Sequence, residues 1–590
     1  MNIDTNSTLI NTKTRFGFIK NVTQVIKSFS FTEKIIFGVF SFALLVSSIS
    51  ILIKINNHFL VNIPENGGIL REGIIGTPRF INPLLAVSTA DKDVTSLIYS
   101  GLTRKDINEN FIPDLAERYE ISDDGLEYKF ILKDNLRFHD GTKLTTEDIA
   151  FTVIKAQDPE IESTKRSEWI GVSFDRVSDT EIIFKLKQPY KPFIENTTLG
   201  ILPKHLWENI PTGGFGLSIY NTEPIGSGPY KLDGIKKDNT DIPESYTLSA
   251  FKNYTLGKAF INKIVLQFVK NEADLVGLFE SGKIDSLGGL KAETAQKLKD
   301  EGANLLTSPL PRIFGLFFNQ NESRILADSS VRKALEITTP KDEIINNILF
   351  GFAKTANNSI PPALDLEKSL SNPSIEISTS TIPTDDSIAR AQSILEANGW
   401  KKNEDGIYEK EKDKQKSIFS LSISTSNVPE LVQVANLVAD SWKKVGIDAS
   451  VKVFEPGDLS QTIIRPRNFE VLLFGMIIHR YPDLYAFWHS SQRIDPGLNI
   501  TSYANISVDK LLDDLRTLTD KEKIESSIAE FNQNITEDKP AIFLYTPQFI
   551  YILPKNIGGV KFNNITSGED RFMNIYEWFT ETDKVWRIFN

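Results

Sequence analysis

Between Lys34 and Lys54 the chain runs for nineteen residues, Ile35–Ile53, without a charge. As a helix rising about 1.5 Å per residue, this run spans roughly 28 Å, the thickness of a bilayer core. The apolar part of a secretory signal is shorter, about 7–15 residues, and ends at a small-residue cleavage site. Here Ser47, Ser48 and Ser50 lie inside the run, and Ile51–Ile53 continues beyond them. The expectation is an uncleaved transmembrane anchor at 35–53, preceded by a leader at 1–34 and followed by a polar linker at 54–67. The leader carries Lys13, Arg15, Lys20, Lys27 and Lys34 against Asp4 and Glu33, a net of +3, so the remainder of the −11 chain carries −14. A basic leader before an acidic body predicts a cytoplasmic amino terminus and an extracytoplasmic bulk.

That bulk is too long, in a chain of 590 residues, for a single hydrophobic core and requires at least two lobes. Its acidity argues against nucleic acid as a partner, because phosphate binding needs a basic surface. Cysteine is absent, which removes disulfides, thiolate nucleophiles, thiolate metal ligands and lipid attachment through sulfur.

The local patterns describe an α/β protein. Asp123-Asp124-Gly125 makes a turn, after which Leu126, Tyr128, Phe130 and Leu132 alternate as in a half-buried strand. His139-Asp140-Gly141 is a second turn. Thr145 and Asp148 have capping-box spacing before a helix through Ile149 and Val153. Ile182, Phe184 and Leu186 mark another strand. Further on, Phe419, Leu421 and Ile423 predict a strand, Pro429 opens a helix with Leu431, Val434, Val438 and Val445 inward, and Gly446 stands where a C-cap glycine belongs. Ile447, Ala449, Val451 and Val453 then alternate, so this strand–helix–strand unit should form a parallel pair. Ser371–Asp386 reads as a surface loop and Lys401–Lys416 as an exposed hairpin.

No catalytic constellation emerges. Gly277-Leu-Phe-Glu-Ser-Gly282-Lys283-Ile284 approaches a phosphate-binding loop, but isoleucine fills the magnesium-binding position and the preceding stretch reads helical. Gly226-Ser227-Gly228 lacks the spacing of a nucleophile elbow. The five histidines, His58, His139, His205, His479 and His489, form no metal-ligand spacing. No cofactor and no metal is therefore expected.

Several segments occur together in an order that is diagnostic as a set. They are Asn82-Pro83, Leu97-Ile98-Tyr99-Ser100-Gly101-Leu102, Pro113-Asp114-Leu115-Ala116-Glu117, and Phe138-His139-Asp140-Gly141 with Thr145-Thr146-Glu147-Asp148. Pro224-Ile225-Gly226-Ser227-Gly228-Pro229-Tyr230, Ser281-Gly282-Lys283-Ile284-Asp285, Val331-Arg332-Lys333-Ala334-Leu335, Gly399-Trp400 and Gly446-Ile447 follow. With these the chain resembles the extracytoplasmic solute-binding proteins of ABC importers, family 5, the class of oligopeptide-, dipeptide- and nickel-binding proteins. The resemblance implies a two-lobed periplasmic-binding-protein-like clamshell of the large cluster C type. Lobe I would be 68–308 with 541–590 returning to it, and lobe II 309–540. It also implies a non-enzymatic, monomeric protein that captures a peptide or other small solute between the lobes and hands it to ABC permease subunits.

Candidate ligand contacts concentrate near Glu470–Trp488. Val471–Ile478 is an apolar run that suits a buried strand, and polar residues follow it at His479-Arg480-Tyr481-Pro482-Asp483. Ligands of α/β sheets collect at the carboxyl ends of strands. In peptide-binding relatives this stretch lines the cleft, and its backbone pairs with the peptide. The candidates are therefore Phe474, Gly475, Met476, Ile477, His479, Arg480 and Asp483, with aromatic or polar lining from Tyr99, Phe314, Trp488, Asn499 and Tyr503. Those relatives typically place an aspartate just past the strand for the peptide's amino terminus. Here His479 or Arg480 takes that position and Asp483 lies later, which predicts a different end-group preference.

Overall fold

The computed structural model describes residues 24–107, 110–190, 192–361, 385–412, 415–478, 484–516, 518, 520–563 and 565–586. The chain divides into two units, one of residues 1–65 with 581–590 and one of residues 66–580. Most of the leader, most of the Ser371–Asp386 stretch, and His479, Arg480 and Asp483 lie outside the described residues.

Among the described residues, the first unit has a helical stretch at 24–28, a long helix and a two-stranded ribbon. Helix α1 (Phe31–Phe59) has no buried residue and is long and apolar enough to cross a membrane. It starts one turn before the uncharged run because Ser30 and Glu33 close a capping box. The Ser30 amide donates to the Glu33 carboxylate at 2.7 Å, and the Glu33 amide donates to Ser30 Oγ at 3.3 Å. The expected polar linker is not irregular. The helix continues to Phe59, and β1 (Leu60–Glu65) then pairs antiparallel with the C-terminal strand Glu581–Trp586 in six register pairs. A local reading cannot find this strand, because its partner lies more than five hundred residues away in sequence.

The second unit is built on one long mixed sheet. Its strands are β2 (Gly67–Ile75), β3 (Ile261–Val269), β4 (Ser286–Gly288), β5 (Arg312–Phe318), β6 (Ser420–Ser426), β7 (Asp448–Phe454), β8 (Val471–Ile477) and β9 (Ala541–Ile552). Among the described residues they run in the order β7-β6-β8-β5-β9-β4-β2-β3, continued by strands at 243–250 and 230–237. The predicted parallel unit is present: β6 and β7 pair in parallel over seven residues, joined by the helix α2 (Pro429–Val445), which has Pro429 in its first turn. Val434, Val438 and Val445 of α2 are buried. Gly446 sits at φ 112°, where a Cβ would come within 2.7 Å of the Gly406 carbonyl, so the helix can end here only on glycine.

The first half of β9 pairs with β5, and its second half pairs with Leu305–Pro309 and β4. Its side chains enter different cores accordingly. Ile542, Leu544 and Tyr545 join the core around β6 and α2, and Tyr551 joins the large core of residues 70–266 and 551–578. The expected strands near 126–132 and 182–186 are Glu127–Leu132 and Glu181–Lys185 of a separate four-stranded antiparallel sheet. The Thr145–Asp148 capping box opens the helix Thr146–Gln157. Lys401–Ile418 forms a three-stranded antiparallel sheet rather than a simple hairpin, and Asp385 and Asp386 open a helix, Asp385–Ala397, where a loop was expected.

One buried ion network closes the large core. Arg571, 2% exposed at its side chain, donates from Nε to Glu72 at 3.1 Å and from Nη1 and Nη2 to the two Asp93 oxygens, both at 2.7 Å. Tyr551 donates to Glu72 at 2.8 Å, and Ser286 also donates to it. Burial pushes the Glu72 carboxyl upward against the opposing pull of Arg571. Burial alone would depress Arg571, and the two carboxylates override it and hold the guanidinium charged.

Candidate functional site

The predicted strand at 471–478 is β8, and its two edges differ. On one side β5 pairs with it along its whole length, Arg312 opposite Ile477 through Phe318 opposite Val471. On the other side β6 reaches only Val471 and Leu472. The Asn319 amide donates to the Glu470 carbonyl and the Ile478 amide to the Pro311 carbonyl, both at 2.9 Å, so even-numbered residues turn their backbone groups toward β5. Odd-numbered residues turn theirs the other way, and there Thr425 Oγ1 caps the Leu473 carbonyl at 3.2 Å. Beyond Leu473, no described strand pairs with the backbone edge of Gly475 and Ile477. Among the described residues, two amides and two carbonyls at strand spacing are left there for an added strand.

Side chains around this edge follow from strand alternation. Phe314 lies opposite Gly475, its ring stacked on Tyr545 at 5.0 Å and 14°. A Cβ at Gly475 would meet that ring at 2.8 Å, so glycine permits the ring to cover the strand. Phe474 is half-buried on the opposite face. Met476 points into the core beneath, and Ile477 is 47% exposed.

The structure brings Phe314, Phe474, Gly475 and Ile477 together and places the other described candidates, Tyr99, Met476, Trp488, Asn499 and Tyr503, deeper. Tyr99 is 6% exposed and belongs to the large core, its hydroxyl 3.4 Å from the Ile81 carbonyl. Trp488, 1% exposed, packs on Phe543, Phe531 and Tyr503 with ring centroids 6.1, 6.5 and 6.3 Å away. Asn499 is fully buried and staples its own loop: Nδ2 donates to the Tyr503, His489 and Trp488 carbonyls, and Oδ1 accepts from the Tyr503 amide and Thr501. Tyr503 donates to Asp538 at 2.5 Å. Aromatic or amide type alone does not separate a strand's support from its exposed edge.

Sequence reasoning missed Arg312. It stands opposite Ile477 at the open end of the edge, half-buried, with Nε buried and without a hydrogen bond. No ion pair joins its guanidinium to any described residue. Burial lowers its pKa from the usual arginine value. A charged group held partly out of water with no partner among the described residues is costly unless something else supplies the counter-charge. The only hint in the sequence is an arginine just ahead of an apolar strand.

The two motifs weighed as catalytic are structural. The Gly277–Ile284 stretch is the end of the helix Glu272–Glu280 and a turn, with Gly282 at φ 68°. Gly226 and Gly228 let their loop lie against the Ile98 carbonyl, which a Cβ at Gly226 would approach to 2.1 Å. His139 holds this loop, with Nδ1 accepting from the Gly226 amide at 3.3 Å and Nε2 3.1 Å from the Gly228 carbonyl. Burial pulls the imidazole down to about 4. Among the described residues no group of three histidine or carboxylate side chains is placed to hold a metal.

With this geometry in view, comparison with known proteins is decisive. Residues 110–494 match the family model described as bacterial extracellular solute-binding proteins, family 5 middle. The chain belongs to this family. As a family 5 solute-binding protein of the ABC-importer class, it is 28% identical over 511 residues to the oligopeptide-binding protein AppA of Bacillus subtilis, covering 85% of this chain and 90% of AppA. The structure of that AppA in complex with a nonapeptide superposes with a TM-score of 0.64 at 27% identity, covering 88% of this chain and 99% of AppA. NikZ of Campylobacter jejuni, in complex with Ni(L-His), gives a TM-score of 0.66 at 27% identity over 88% of this chain and all of NikZ. CtaP of Listeria monocytogenes gives 0.72 at 24% identity over 88% of this chain and all of CtaP, and supports the fold. The fold is the two-lobed α/β clamshell expected from the sequence, preceded by one apolar helix.

Proposed function

We propose that this solute-binding protein captures peptides by adding them as a strand to the open edge of β8, and delivers them to an ABC permease while α1 holds it in the cell membrane as a monomer with its bulk outside. The observation that carries this reading is the unpaired edge at Gly475 and Ile477, which offers up to four backbone hydrogen bonds indifferent to side-chain identity. Phe314 and Phe474 flank that edge on its two faces. The similarity to AppA, solved with a nonapeptide, supports the peptide over other solutes. The ligand would be enclosed between a first lobe (68–308 with the return at 541–580) and a second (309–540), while 581–586 pair with β1 in the anchor unit; closure would be driven by better contacts in the closed state. The bound molecule would leave chemically unchanged.

The polar residues after the strand would set the end-group preference. Arg480 offers a permanent cation suited to a carboxylate or neutral group, whereas Asp483 would suit a free amine. A matched pair of peptides, one N-acetylated and one free, decides between them. At least tenfold tighter binding of the free amine, lost in Asp483→Ala, would reject the Arg480 assignment.

The central test is native mass spectrometry of ligand retained by the purified full-length chain. Peptides of mixed sequence are expected. Recovery of a nickel–histidine complex alone, the ligand seen in NikZ, would replace the peptide reading with a metal-chelate one.

A further inference from the structure

The ribbon that follows α1 has a chemical gradient along its length. Its pairs nearest the helix are apolar, Leu60 with Trp586 and Val61 with Val585. The next pairs are Asn62 with Lys584, Ile63 with Asp583 and Pro64 with Thr582, and the last sets Glu65 against Glu581. At the apolar end, Trp586 stacks on Phe59 with centroids 6.0 Å apart and planes at 24°, and its indole N–H donates to Asn56 Oδ1 at 2.9 Å. Both rings nonetheless stay open, Phe59 at 46% and Trp586 at 42% exposure. A two-stranded ribbon of this length has no core of its own and is marginal in water.

We propose that this apolar end is a seat for the membrane interface: Trp586, hydrogen-bonded to Asn56, lies in the lipid headgroup layer as the principal anchor, with Phe59, Leu60 and Val585 at the outer edge of that layer. The inference rests on the reading of α1 as a membrane span. Asn56 lies three residues past the uncharged run, roughly 5 Å along the helix, and the headgroup layer is about 5–7 Å deep on each side of the hydrocarbon. Tryptophan prefers that layer because its ring is apolar and its N–H is polar. The charged pairs begin where the ribbon would emerge into water. The exported body is thereby joined to the membrane through two paired strands instead of a single strand.

Tryptophan fluorescence tests this directly, because the other six, Trp169, Trp207, Trp400, Trp442, Trp488 and Trp578, are each at most 2% exposed. The full-length chain is incorporated into lipid discs and quenched in turn by a spin label on the lipid headgroup, a spin label at mid-acyl chain, and aqueous iodide. The signal read is the difference between the native chain and Trp586→Phe. The expected result is quenching of that difference signal at least twofold stronger by the headgroup label than by either alternative. Dominant quenching by iodide, or by the mid-chain label, in discs that carry the protein would overturn the proposal while leaving the span intact. If the chain does not co-elute with the discs, the membrane-span reading itself fails, and this inference with it.

Discussion

Replacing Arg571 by methionine should show what holds the large core closed. The substitution preserves most of the side-chain volume and removes the cation that Glu72 and Asp93 share. Two carboxylates would then face each other's charge, Glu72 with a side chain fully out of water and Asp93 at 1% exposure. Glu72, already pushed up by burial, is the group to take up a proton. Keeping a carboxyl with an intrinsic pKa near 4.3 protonated at pH 7 costs about 1.4 kcal/mol per unit, roughly 4 kcal/mol. Breaking one side of a buried pair typically costs about 3–5 kcal/mol, so the two routes agree. The sign follows from proton binding. The folded variant holds a proton that the unfolded chain releases above its ordinary carboxylate range, so its stability falls as pH rises. Denaturant unfolding of native and Arg571→Met chains, followed by tryptophan fluorescence, should give a destabilisation near 4 kcal/mol at pH 7 that shrinks to about 1 kcal/mol at pH 5. Adding Glu72→Gln and Asp93→Asn should recover most of the loss at pH 7. A destabilisation below about 1 kcal/mol, or one that does not change between pH 5 and 7, would refute the reasoning.

Other outcomes are as definite. Ile477→Pro removes an amide on the open edge while leaving the ladder to β5, so peptides should bind more weakly than to Ile477→Ala by about 1 kcal/mol, roughly fivefold by titration calorimetry. Equal affinities for the two variants would argue against backbone pairing. Arg312→Gln should weaken peptides with a free carboxylate by about tenfold or more and leave their amidated counterparts little changed, as expected for a charged hydrogen bond; equal effects on both would reject a carboxylate partner. His139 stays neutral in the fold with a pKa of about 4, whereas the unfolded chain protonates it near 6.5. Its contribution is therefore complete above about pH 6.5 and lost as pH falls toward 4, about 3 kcal/mol across that window. His139→Gln should flatten this part of the stability profile, measured by denaturant unfolding at each pH.

Features written in short stretches of sequence were legible. The helix Pro429–Val445 and its parallel strands could be read from Pro429, Gly446 and two alternating runs, because the signals lie within forty residues of each other. The apolar run at 471–477 identified a strand buried on its faces, whereas the close approach of Phe314 to Gly475 was not read from the sequence. Strand pairing at long range was not legible. Nothing local in Ala541–Ile552 announces that it pairs with strands from 286 to 355, and nothing in Leu60–Glu65 announces a partner at 581–586. Alternation shows that a strand exists and does not name its neighbour. The site was legible as a region only. Which odd-numbered amides stay open depends on where β6 stops, and that is a property of the sheet.

Glu72 and Arg571 are 499 residues apart in sequence. At about 5–20 residues per second of synthesis, that separation amounts to roughly 25–100 s. Throughout that interval the core of residues 70–266 lacks its closing segment, and the Glu72 carboxylate has no arginine to meet. The cores around β6, α2 and β8 draw on residues 313–545 and can be complete before Arg571 is made. The segment around Glu72 is thus made early and gains its charge partner only when nearly the whole chain has been written.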